Sequence, residues 1–98
     1  MGAEIVNARI ESTMLGNEDH GIPTCYLTCR FGCATQGFGG YDLRHYGLTF
    51  ITEVLRVVGV SQWEDLRGKV VRIKRSDGLI RAIGNIIEDV WYEPEKKP

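Results

Sequence analysis

The chain has 98 residues, 43% of them hydrophobic and 26% charged, with a formal net charge of −1. That length gives room for one domain with a modest core. The charge balance excludes a globally basic nucleic-acid binder, so no DNA or RNA partner is expected. No apolar run approaches the roughly 18 residues a membrane helix needs. No basic-then-apolar segment reads as a signal peptide, so a cytoplasmic protein with no membrane association is expected.

Residues 4–15 read as a first strand, with Val6, Ala8 and Ile10 on one face and Asn7, Arg9 and Glu11 on the other. A polar turn over 16–21 leads to a second strand over 23–31. There Cys25, Leu27, Cys29 and Phe31 alternate with Thr24, Tyr26, Thr28 and Arg30. The three cysteines, Cys25, Cys29 and Cys33, are an odd number at a spacing that is not a zinc pattern. Cys25 and Cys29 read instead as small hydrophobes facing a core. A short third strand over 34–38 runs into Gln36-Gly37-Phe38-Gly39-Gly40-Tyr41. Taken alone, this segment reads as a tight turn or bulge in preference to a ligand loop.

The period then changes. Phe50, Ile51, Val54, Leu55 and Val58 recur at helical spacing, which predicts a helix over about 48–58 with Gly59 as its left-handed cap. Ser61 and Glu64 match a capping box that opens a second short helix, ended by Gly68. Strands over 69–75 and 79–87 are joined by a hairpin turn at Ser76-Asp77-Gly78, and 88–92 extends the second. Gly84 marks a bulge or a close approach. The expected class is α+β: a curved antiparallel sheet of five to six strands packed with two short helices. The domain spans 1–93, followed by a flexible tail over 94–98.

Catalytic patterns are missing. There is no nucleophile elbow, phosphate loop, zinc-protease motif or dinucleotide fingerprint, and His20 and His45 lie apart in polar loops. Asp42 near His45 offers an acid–base pairing, and a solvated loop explains it as well. The expectation is a protein that is not an enzyme and uses neither cofactor nor metal. Charge is concentrated: Arg67, Lys69, Arg72, Lys74, Arg75 and Arg81 are followed by Glu88, Asp89, Glu93 and Glu95. Guanidinium groups on such a hairpin suit phosphate, although an outer sheet face is also simply solvated. Arg81 and Asn85, flanking Gly84, are the better candidates for ligand contact. Phe38, Tyr41 and Tyr46 read as a stacking platform, as a rim packed beneath the helix, or as a subunit interface.

These blocks resemble a family of small phage and prophage proteins. The resemblance rests on residues 7–16, 18–24 and 36–41, then Val58-Gly59-Val60, Trp63-Glu64-Asp65-Leu66, and 82–87 before Trp91. It covers nearly the whole chain and is strongest to the first-described family of Thoeris anti-defence sponges. It implies a protein that binds and sequesters a cyclic nucleotide immune signal, a cyclic ADP-ribose isomer, without cleaving it. Some members of that family also hold cyclic oligonucleotides. It implies a homo-oligomer, a dimer or higher, with pockets between subunits. With it, the glycine–aromatic run reads as a nucleotide-binding wall. The ligand-binding set is then Gln36, Phe38, Gly39, Gly40, Tyr41, Arg72, Arg81 and Asn85. The chain departs from the family pattern in its short Asp42–Gly47 continuation and in Asn85, where histidine is frequent. Two other readings use the same residues: an inhibitor that covers a host defence nuclease, and an enzyme that cleaves the signal.

Overall fold

A computed structural model describes residues 3–94, so the expected tail lies, apart from Pro94, outside the described residues. Six strands build the sheet: β1 (Glu4–Asn17), β2 (Pro23–Phe31), β3 (Ala34–Asp42), β4 (Val70–Ser76), β5 (Leu79–Gly84) and β6 (Trp91–Tyr92). A π-type turn, Leu43–Gly47, runs directly into helix α1 (Leu48–Val58). The sheet order is β3-β2-β1-β4-β5-β6, and every paired neighbour is antiparallel.

β1 organises the sheet because it changes partner along its length. Its first part, Glu4 to Arg9, pairs with β4, and Arg9 to Asn17 pairs with β2. Register shifts leave Glu11, Gly40 and Arg81 as unpaired extra residues in β1, β3 and β5. Each bulge bends its strand and adds right-handed twist. The sheet therefore curls into a half-barrel, and Gln36 Nε2 on β3 donates across the opening to Gly78 O in the β4–β5 turn.

α1 lies against the concave side. Its inward residues Phe50, Val54 and Val57 join Ala8, Ile10, Cys25, Leu27, Cys29, Phe38, Val71, Ile73 and Ile83 in one core. Burial of such side chains contributes about 1.5–3 kcal/mol each. The helix ends as the sequence predicts: Gly59 adopts φ 88° and its N–H bonds Leu55 O at 2.9 Å.

The α+β class holds, with one α-helix in place of two. The expected second helix is a single 3-10 turn, Trp63–Asp65, preceded by Gln62 without a side-chain cap. A 3-10 turn eclipses residues three apart, which aims Trp63 and Leu66 together into the core. β3 runs on to Asp42, four residues beyond its expected end at 38, so the glycine run is bulged strand. β5 stops at Gly84, and 85–90 form a loop before the short β6. The hairpin turn stands as expected, with φ 56° at Asp77 and 77° at Gly78, the two positive values a type I′ turn requires.

Cys25 and Cys29 are fully buried and Cys33 is exposed. Burial pushes the Cys25 thiol up to about 11 and the Cys29 thiol up to about 12, so neither forms the reactive thiolate at neutral pH. A native sample treated with a thiol reagent should therefore modify Cys33 rapidly, with Cys25 and Cys29 reacting only after unfolding. Rapid modification of all three thiols in the folded protein would contradict this core.

Candidate functional site

The structure separates the sequence-predicted ligand set into three places. The first surrounds Phe50. Phe38 is only 4% exposed, and its ring lies 5.4 Å from that of Phe50, with Tyr41 at 5.3 Å on the same ring. Of the readings open to these aromatics, Phe38 and Tyr41 therefore take the packed rim beneath the helix. Phe38 is a core side chain and presents no stacking face to solvent. Gly39 serves the same packing: at φ 112° a Cβ there would come within 2.6 Å of the Phe50 ring. Gly40, the bulge residue at φ 87°, has open space on its Cβ side. Tyr46 stays on the surface beside His45.

The second place is the loop after β5. Arg72 Nε donates to Asn85 O at 2.7 Å, and Nη2 donates to Glu88 O at 2.8 Å. Its guanidinium also lies 4.9 Å from the centre of the Trp91 ring. Asn85 Nδ2 donates to Val57 O at the end of α1, and its Oδ1 accepts from the N–H groups of Ile87 and Glu88. Both side chains are committed to holding a loop to the helix and sheet. Gly84 is the expected close approach, and what approaches it is Trp91: a Cβ would lie 2.7 Å from that ring.

The third place is the corner where β3 meets the β4–β5 turn, and it holds Gln36 and Arg81. Arg81 Nε donates to Ser76 O at 3.3 Å, and its Nη2 lies 3.8 Å from Asp77 Oδ2. Arg75 joins them. Its guanidinium lies 4.7 Å from the centre of the Phe31 ring, and Nη1 donates to Glu4 Oε1 at 2.9 Å. Among the described residues, two buried side-chain polar atoms have no hydrogen-bond partner: Gln36 Oε1 and Arg75 Nε. One is an acceptor and the other a donor. An unsatisfied buried group of this kind costs about 1–3 kcal/mol. Both atoms are shut off from solvent, and the Arg75 guanidinium covers a face of the Phe31 ring. Sequence reasoning put Gln36 and Arg81 in the ligand set, counted Arg75 only within the basic hairpin and gave Phe31 only a place on one face of β2. The available signal was alternation, which puts Arg75 on the inward face with Val71 and Ile73.

Two of the groups considered for catalysis, Asp42 and His20, have local partners. Asp42 Oδ1 accepts from the Arg44 backbone N–H at 2.8 Å, and Oδ2 pairs with Arg44 Nη2 at 2.7 Å. The Arg44 side chain, with its backbone N–H, holds the Asp42 carboxyl down at about 2. Glu18 accepts from the backbone and ring of His20, which lowers its pKa. Because the folded pKa of Asp42 lies below its ordinary 3.8, its stabilising contribution is present above that value. It is lost as pH falls from about 4 through about 2. A carboxyl titration followed by NMR should place Asp42 near 2, and Arg44→Ala should move it upward. A midpoint near 4 in the native protein would contradict the pairing. Among the described residues no cluster of three or more His, Cys, Asp or Glu side chains is placed to hold a metal ion. No protein-family model, curated protein or solved structure matched this chain.

Proposed function

We propose that this chain is a binding protein that sequesters a cyclic nucleotide signal, a cyclic ADP-ribose isomer, and holds it without cleaving it. On this reading it acts as the Thoeris anti-defence sponges do and assembles as a homo-oligomer. The sequence blocks spread over nearly the whole chain support the family reading. The observation that carries the chemistry is the corner at Gln36 and Arg75. A phosphorylated nucleotide needs guanidinium donors for its pyrophosphate, and on this reading it displaces Glu4 from Arg75 and Asp77 from Arg81. Its amino and hydroxyl groups need an acceptor, which the buried Gln36 Oε1 would supply once the corner opens to admit the ligand. Phe31 holds the Arg75 guanidinium over its ring. A sponge needs retention and no proton transfer. Asp42, the carboxylate closest in sequence to His45, is occupied by Arg44, which supports binding over cleavage.

Calorimetric titration with a cyclic ADP-ribose isomer tests the placement. Gln36→Ala and Arg75→Lys should each weaken binding about tenfold, the loss of one hydrogen bond worth about 1.5 kcal/mol. The lysine keeps the charge and removes the Nε–H donor. Unchanged affinity in both variants would move the site away from this corner.

A further inference from the structure

The seam between β3 and the β4–β5 turn is bridged by a side chain in place of a strand ladder. β3 pairs with β2 at one edge of the sheet, and β4 and β5 lie beyond β1. Across the opening, Gln36 Nε2 donates to Gly78 O. Closing the seam also shuts Gln36 Oε1 and Arg75 Nε away from water without partners. A buried polar atom left unpaired is costly, and opening returns both to solvent. The turn is built to move apart from the sheet. β1 pairs with β4 only as far as Arg75. On β5 the ladder is interrupted at the bulge residue Arg81, between the Lys74–Ala82 and Arg75–Ile80 pairs. A bulge disrupts pairing locally and lets its strand bend.

We propose that residues 76–80 are a flap over the corner, with the Gln36–Gly78 bond as its latch and the Arg81 bulge as its hinge. The flap as an entrance rests on the corner being the nucleotide site, and it supplies the way into that buried site. Lifting the flap exposes Gln36 Oε1 and Arg75 Nε together. Arg81 is tied to the flap through Ser76 O and Asp77, so the same motion frees its guanidinium. One local opening therefore presents an acceptor and two guanidinium groups, while the β1–β2 ladder and the core under α1 stay closed. Local opening of this kind costs less than unfolding the domain.

Thiol labelling of an Ile80→Cys chain reports the opening without any nucleotide. Ile80 lies on the flap opposite Arg75, is 9% exposed and joins the core, so a thiol there reacts when the flap lifts. Peptide mapping separates it from Cys25, which is fully buried and reports unfolding of the whole domain. Adding Gln36→Ala should raise the labelling rate at position 80 about fivefold, the effect of losing one hydrogen bond, and leave Cys25 unchanged. Gly78→Ala should act in the same direction. A Cβ there has open space, but φ 77° disfavours a side chain and shifts the acceptor. Hydrogen exchange of the 76–80 amides in the Gln36→Ala chain gives the same comparison with Ile80 intact. Unchanged rates on the flap, or an equal acceleration at Cys25, would overturn the flap. A cyclic ADP-ribose isomer should associate faster with the Gly78→Ala chain than with the wild type. Binding at an unchanged rate would overturn the flap as the entrance. No binding to either chain, with labelling as expected, would overturn the corner as a nucleotide site while the flap stands.

Discussion

Phe50→Ala should lower the unfolding free energy by about 3–5 kcal/mol, the range for truncating a buried aromatic residue. Phe50 is fully buried where three elements converge. Phe38 and Tyr41 of β3 and Tyr92 of β6 all turn toward its ring, the last with centroids 6.2 Å apart. Gly39 has no side chain there, and a Cβ would occupy the space the ring fills. The cavity left by alanine would therefore open between the helix and an edge strand. Small domains hold only about 5–15 kcal/mol in total, so the variant should sit near the limit of folding. Urea denaturation measures the effect. A loss under about 1 kcal/mol would show that β3 and α1 do not depend on this ring.

Asn85→Ala should cost about 2–4 kcal/mol and loosen the loop it organises, through three side-chain hydrogen bonds at roughly 1 kcal/mol each. One of them satisfies Val57 O at the end of α1, a carbonyl the helix itself cannot pair. The amide protons of Ile87 and Glu88, now bonded to Asn85 Oδ1, should exchange with solvent faster. A residue serving only as a ligand contact would behave otherwise: stability and exchange would stay as in the wild type while nucleotide affinity fell. Hydrogen exchange and thermal melting on one variant therefore separate the two roles.

Much of the fold was legible because local patterns agreed with it. Alternation marked β2 with its observed ends, the apolar repeat marked α1, and Gly59 and Asp77-Gly78 each have one strong conformational use. The second helix was misread because Ser61 and Glu64 satisfy a capping pattern, whereas the positions of Trp63 and Leu66 in the core favour a tighter turn. The glycine–aromatic run was harder. A glycine that admits a ligand and one that admits a neighbouring ring look the same in sequence. Gly39 and Gly84 both proved to face rings, Phe50 and Trp91. Arg72 and Asn85 looked free for a ligand because their partners are backbone carbonyls and amides, groups that every residue carries. Arg75 was counted in the basic hairpin but left out of the ligand set for a related reason. Its contacts with Phe31 and Glu4 join residues distant in sequence, which only the curl of the sheet brings together.

The central claim is retention of an intact nucleotide, and one experiment addresses it most directly. The protein is mixed with a cyclic ADP-ribose isomer made by a TIR enzyme, separated from free ligand, and heated, and the released material is identified by mass spectrometry. The nucleotide should stay with the protein before heating and return at its original mass afterwards. A product of lower mass, or a nucleotide that never leaves the free fraction, would contradict sequestration.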